Sequence, residues 1–293
     1  MADKKLALVT IHGMGKTDPH YQKPLEDKLR KKLGAAFGQG ILLKPVYYQG
    51  ILQPNENEIW LRTKKANVNY QALREFILFG FGDAAGLETN KEEDGSVYEL
   101  AQAAIAAQLL KARDDFGGAN APVVFITHSL GCQVLSNYIY DAQVAKSAEN
   151  GEHSAPKAGV WKSRATIEQH MGRTLSEDDI RFLRAETCAG WVSTGCNIPI
   201  FVAAHQQMQI KPIAAPTTGF KWLNIYDPDD ALGWPLRPLK GGYEDLVKDI
   251  EINAGQGLDL IIDSWNPLAH NCYWEDDDVV GEICHLIAEI LAN

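Results

Sequence analysis

Hydrophobic positions along the chain fall into short apolar runs separated by segments of helical spacing, the alternation that builds a mostly parallel sheet with helices on its faces. Leu6–Ile11 (LALVTI) is apolar throughout, as a strand buried on both faces requires, and it ends at His12-Gly13. Leu25, Leu29 and Leu33 predict a helix over 23–33 with Gly34 as its stop, and 41–48 reads as a second strand. The Ala-rich stretch 96–113 predicts a helix, and Pro122–Thr127 (PVVFIT) is the clearest buried strand. Leu130, Val134, Leu135, Tyr138 and Ile139 then set a helix over 130–140, so only the turn His128-Ser129 separates it from that strand. Further strands are predicted at 187–194, 221–226 and 247–253. Val279, Val280, Ile283, Ile287, Ile290 and Leu291 give the last helix a 3.6-residue stripe.

Two stretches interrupt this alternation and read as insertions, possible lid or cap elements, in a single domain spanning 1–293. In 49–95, Trp60, Tyr70, Phe76, Phe79 and Phe81 lie in an apolar stretch broken by Gly80, Gly82 and Gly86. Those aromatics either fill the core or line a lipophilic acyl pocket within 70–87. The stretch 141–186 is polar, and its Ser176-Glu177-Asp178-Asp179 has the form of a capped helix start.

Composition narrows the function classes. A chain of 293 residues with 45% hydrophobic and 23% charged residues suits one large globular α/β unit. Its net charge of −10 leaves no general basic surface, which argues against a nucleic-acid partner and against attraction of the chain as a whole to anionic lipid. The N-terminal residues lead straight into the first strand without the apolar core of a signal peptide, and no apolar run is long enough to cross a bilayer. Five cysteines without C-x-x-C spacing read as buried reduced thiols, so a soluble, cytoplasmic protein is expected. Nothing in the composition sets an oligomeric state.

The chemistry-bearing residues stand at strand ends. Thr127-His128-Ser129-Leu130-Gly131 occupies the strand-to-helix turn where a strained backbone lifts a serine hydroxyl above a sheet edge, and Gly131 keeps the turn free of a side chain. A neutral serine needs a base, and the base needs an acid to fix its tautomer. Downstream, Asp227-Pro228-Asp229-Asp230 follows one strand and His270 follows the last, in the order serine, acid, base. His270 is the best base, because His12 and His128 adjoin the glycine loop and the serine as loop-shaping residues and the other histidines lie in the polar insertion or in helical segments. Asp227 and Asp230 are not separated by spacing. After the first strand, His12-Gly13-Met14-Gly15 forms a glycine-rich loop, and the backbone N–H groups of Met14 and Leu130 are the candidate oxyanion donors. The following Lys16-Thr17 lacks the full spacing of a phosphate-binding loop.

These segments resemble the lipase-like α/β-hydrolases, in particular the branch of GPI-inositol deacylases, intracellular phospholipases and their bacterial relatives. IHGMG resembles the branch's oxyanion loop, THSLG its nucleophile turn, and STGCNIPIF the strand and turn that follow. NIYDPDDALGWPLRPL resembles the segment carrying the acid, which the resemblance aligns with Asp230, and SWNPLAHNCYW resembles the segment carrying the base, His270. Thr127 stands where the branch has glycine and Ala231 where it has proline, and no N-terminal hairpin precedes the first strand. The resemblance therefore implies an α/β-hydrolase fold with a mostly parallel sheet of about six strands. The expected function is a serine hydrolase acting on a small-molecule or lipid carboxylic ester through Ser129, His270 and Asp230, with neither metal nor organic cofactor. The same three groups serve thioesterases, amidases and acyltransferases, and a binding protein can retain the fold without catalysis.

Overall fold

Among the described residues, six apolar runs become strands: β1 (Leu6–Ile11), β2 (Ile41–Val46), β3 (Val123–His128), β4 (Cys188–Thr194), β5 (Lys221–Tyr226) and β6 (Val247–Glu251). The computed structural model of the protein describes residues 5–66, 68–253, 270 and 272–292. In it the strands pair in the order β2-β1-β3-β4-β5-β6, and every pairing is parallel. Such a sheet must be covered on both faces because neighbouring strands are joined by crossover helices. The first half of the chain supplies α1 (Lys23–Leu33), α2 (Ala35–Gly40), α3 (Gln53–Lys64), α4 (Gln71–Glu88), α5 (Val97–Asp115) and α6 (Leu130–Glu149). The second half supplies α7 (Arg164–Met171), α8 (Glu177–Leu183), α9 (Ile198–Ala204), α10 (Tyr243–Leu246) and α11 (Asp277–Ala292).

The period-2 alternation of each strand divides the core into two layers. Ala7, Val9, Ile11, Phe125, Trp191 and Trp222 face α5, α6, α7 and α8. Leu6, Leu8, Val124, Ile126, Val192 and Ile225 face α1 and α11. In the first layer the indoles of Trp191 and Trp222 stack with ring centroids 3.8 Å apart. The chain leaves β1 for β2 on one side and returns for β3 on the other, so the order reverses between β1 and β3. At such a switch point the loops beyond the strand ends diverge and open a crevice.

Several boundaries differ from the sequence reading. β2 stops at Val46, and the two residues after it turn away so that Tyr48 reaches His12. Helix α6 runs on to Glu149, which shortens the second insertion from its expected start at 141. Its helices α7 and α8 bury Ile167, Ile180, Phe182 and Leu183 in the first core layer, beside α5, instead of standing apart as a cap. The start of α8 has the expected cap, with Ser176 and Asp179 bonding each other's backbone N–H groups. Of the five free cysteines, Cys132, Cys188 and Cys196 are buried as expected, whereas Cys272 and Cys284 are only partly covered. Among the described residues, no helix is long and apolar enough to cross a membrane. The segment after β6 that leads to His270, residues 254–269, lies outside the described residues.

Candidate active site

Both halves of the switch point end in short loops, and these are pressed together. Ser129 adopts φ 51° and ψ −123°, a conformation that L-residues rarely take and that turns β3 directly into α6. Its N–H donates to Thr194 O at 2.9 Å, and its own carbonyl accepts from Cys132 N–H at 2.9 Å. A Cβ on Gly13 would lie 2.7 Å from the Ser129 Cβ, and one on Gly131 would strike the backbone carbonyls of His12 and Ile11. Glycine at 13 and 131 thus lets the loop after β1 and the start of α6 touch at backbone distance. Thr127, which stands where glycine is usual, earns its space through bonding: its hydroxyl accepts from Trp191 Nε1 at 2.8 Å and donates to Cys132 Sγ at 3.1 Å.

The three expected polar groups are all buried, Ser129 just past the end of β3, Asp230 past β5 and His270 in the segment beyond β6. His270 Nδ1 lies 2.8 Å from Asp230 Oδ2, and each residue is no more than 4% exposed. Burial alone would raise the Asp230 carboxyl, but the bonds from His270, Leu232 N–H and Tyr273 outweigh it and hold the group below its ordinary value. A carboxylate at Nδ1 fixes that nitrogen as the N–H, which leaves Nε2 with its lone pair free. Among the described residues, His270 Nε2 and Ser129 Oγ are both buried without a hydrogen-bond partner, one a ready acceptor and the other a ready donor. Asp227, which spacing does not separate from Asp230, accepts from Asp229 N–H at 2.8 Å within the same turn.

Two residues that sequence reasoning did not single out organise this group. The Tyr273 hydroxyl donates to Asp230 Oδ2 and accepts from Asp227 N–H, both at 2.9 Å, so it ties the two acids into one turn. Thr194 Oγ1 donates to Thr127 O at 3.0 Å and accepts from Trp274 Nε1 at 3.1 Å. With its proton committed, that hydroxyl must accept from His128 Nδ1 at 3.2 Å. The His128 ring sits 4.7 Å from that of His270, and burial followed by repulsion from His270 pushes its pKa down to about 3. His128 is therefore a neutral wall against His270. Tyr273 and Trp274 stand only a few residues beyond His270, which is the signal that could have found them.

His12 shapes the other loop. Its Nδ1 donates to Gly13 O at 2.8 Å, its Nε2 accepts from Tyr48 N–H at 3.1 Å, and burial pushes its pKa down to about 4. Gly15, at φ 96°, donates its N–H to Asp83 Oδ2 at 2.9 Å. Met14 is held between these anchors, and Leu130 opens α6, where the first N–H groups have no intrahelical acceptor. The loop after β1 thus meets the Ser129 turn at Gly13, with the Met14 amide one residue further along and the Leu130 amide directly after the serine. A pocket of about 220 Å³ beside the loop is lined by Met14, Tyr21, His128 and Trp274 together with the charged Lys16 and Glu275. Residues 70–87 do not line it. Within that stretch Leu73, Ile77 and Phe81 face outward, whereas Phe79 is buried.

Asp83 belongs to a buried carboxyl pair missed at the sequence level, although it is the one acid inside the run FILFGFGDAAG. Gln49 Nε2 donates to Asp83 at 3.0 Å and to Glu56 Oε2 at 3.4 Å. Burial and then repulsion from Asp83 drive Glu56 up to about 8, and burial drives Asp83 up to about 6 against the pull of Gly15 N–H. Below those values the folded protein holds protons that an unfolded chain releases in the ordinary carboxylate range, so the pair costs stability as pH rises through them. His12 and His128 act with the opposite sign, and most of their contribution is in place by pH 6.5, their ordinary value, with a small remainder above it. Between pH 6.5 and 8 the thermal midpoint of the wild type should therefore fall, whereas that of Glu56→Gln should stay level or rise slightly. Equal declines in the two proteins would remove Glu56 as the cause.

No family model matches the chain, and no curated protein matches it significantly.

Proposed function

We propose that the chain has an α/β-hydrolase fold and is a serine hydrolase that cleaves a carboxylic ester. One observation carries this reading: Ser129 is held at φ 51° in a strand-to-helix turn with its hydroxyl unpartnered among the described residues, and His270, bonded through Nδ1 to Asp230, keeps an equally unpartnered Nε2. The order serine after β3, acid after β5 and base after the last strand supports it, as does the all-parallel sheet with its reversal between β1 and β3.

In this mechanism Ser129 Oγ attacks the ester carbonyl while His270 Nε2 takes its proton. Asp230 stabilises the imidazolium from the Nδ1 side and does not itself take a proton. The Met14 and Leu130 amides bind the oxyanion of the tetrahedral intermediate. His270 then gives the proton to the leaving alkoxide, which departs as the alcohol and leaves an acyl group on Ser129. Water, deprotonated by His270, attacks that acyl group and releases the acid and the free serine. Ser129 Oγ and His270 Nε2 are not bonded to each other in the resting protein, and catalytic hydrogen bonds of this kind often tighten only once substrate is bound.

A fluorophosphonate probe, which reacts only with an activated serine, tests the reading directly. The folded wild type should be labelled in stoichiometric amount and Ser129→Ala not at all. Equal labelling of the two proteins, or none of either, would overturn it.

A further inference from the structure

Helix α4 carries apolar side chains on two opposite sides. Phe79, Asp83 and Leu87 form its buried stripe at four-residue spacing, and Gly80 beside them packs on Met14. Leu73, Ile77 and Phe81 form a second stripe at the same spacing, and all three are exposed. At about 100° per residue, the two stripes lie roughly 200° apart around the helix. A helix that is apolar on its outer side as well has a second surface to satisfy.

The neighbouring helix widens this surface. A Cβ on Gly86 would meet Leu52 at 2.5 Å and one on Gly82 would meet Glu56 at 2.7 Å, so α3 and α4 run antiparallel. The C-terminal half of α3 therefore lies level with the N-terminal half of α4. There Tyr70 at the start of α4 is 78% exposed, and α3 exposes Ile59 on one side and Leu61 on the other, so at most one of the two can share the outer face of α4. A stripe of apolar side chains open to water marks an interaction surface. Its surroundings have a definite sign. Residues 59–81 contain Arg62, Lys64, Lys65 and Arg74 against the single acid Glu75, a local excess of three positive charges in a chain of net −10. Arg62 is paired with Glu58, and Lys64 lies over the Trp60 ring at 5.0 Å.

We propose that the outer face of α3 and α4 docks on an anionic lipid bilayer. The ridge of Leu73, Ile77 and Phe81 enters the boundary between headgroups and acyl chains, and Lys64, Lys65 and Arg74 meet the headgroup phosphates. A second copy of the chain is a poorer occupant, because it would bring the same positive excess onto itself. The inference does not rest on the hydrolase reading, since it uses only the face of α4 turned away from Met14 and Asp83.

Sedimentation with lipid vesicles tests it, using the full chain carrying Ser129→Ala so that no lipid is consumed. This protein should pellet with vesicles of phosphatidylcholine mixed with phosphatidylglycerol and stay in solution with phosphatidylcholine alone. Adding Lys64→Gln, Lys65→Gln and Arg74→Gln should weaken binding about a hundredfold, at about fivefold per cation removed. Leu73→Ser, Ile77→Ser and Phe81→Ser together should abolish it, and circular dichroism checks that each variant is folded. Failure to bind either vesicle, or equal binding to both, overturns the proposal. So does a dimer, seen by light scattering in place of vesicle binding, that the three serine substitutions dissolve. Fluorophosphonate labelling of the wild type is a separate reading, so either idea can fail alone.

Discussion

Asp230→Asn should lower kcat on a p-nitrophenyl ester by about ten-thousandfold and leave KM nearly unchanged, whereas Asp227→Asn should stay within a few-fold of wild type. The two acids are close in sequence and both are buried, so total charge and burial cannot distinguish them. Their partners do. Asp230 Oδ2 receives His270 Nδ1 and the Tyr273 hydroxyl, while Oδ1 receives Leu232 N–H at 2.9 Å. An asparagine there keeps its oxygen on Leu232 and turns an amide N–H toward His270. The imidazole must then accept at Nδ1 and carry its proton on Nε2, the tautomer that cannot take a proton from Ser129. At position 227 a carboxyl oxygen accepts from Asp229 N–H as one of its interactions, and asparagine keeps that bond. A loss of less than tenfold in Asp230→Asn, or an equal loss in Asp227→Asn, would remove Asp230 from the proposed role.

The contrast between those acids also marks how far the sequence could be read. Strands buried on both faces announce themselves as unbroken apolar runs, so β1, β3, β4 and β5 fall within a residue or so of their expected limits. Periodicity within one segment does not say which segment packs against it. Helix α4 reads as a glycine-broken apolar stretch because its stripes on two sides, Phe79 with Leu87 and Ile77 with Phe81, overlap in the linear pattern. The Glu56–Asp83 pair is invisible for the same reason, since it exists only where α3 crosses α4. Family resemblance alone separates Asp227 from Asp230 in the sequence, and the physical distinction comes from His270 Nδ1, which bonds Asp230 from a segment forty residues away. Ser129 was legible because its environment is local: a strand, one turn and a helix, with Gly131 in the position where a side chain has no room.

That lack of room makes Gly131→Ala the second large effect. The added Cβ would lie 2.8 Å from Ile11 O and closer still to His12 O. Both obstacles are backbone at the end of β1, held by pairing with β2 and β3, so no rotamer change can clear them. Relief requires β1 and α6 to part by about 1 Å, the scale of misplacement that costs about a hundredfold in rate when reacting groups are involved. The parting would carry Gly13 and Met14 away from Ser129 and separate the two proposed oxyanion donors, so kcat should fall by about that factor. Overpacking of a rigid site should also cost about 1–3 kcal/mol of stability by urea unfolding. Gly38→Ala is the matched control, because a Cβ there meets nothing within 4 Å and α2 gains a better helix former. It should leave kcat unchanged and stability equal or slightly higher. If Gly131→Ala retained full activity, the close approach of β1 and α6 would not be what sets the donor geometry, and the proposed oxyanion site would have to be built from other amides.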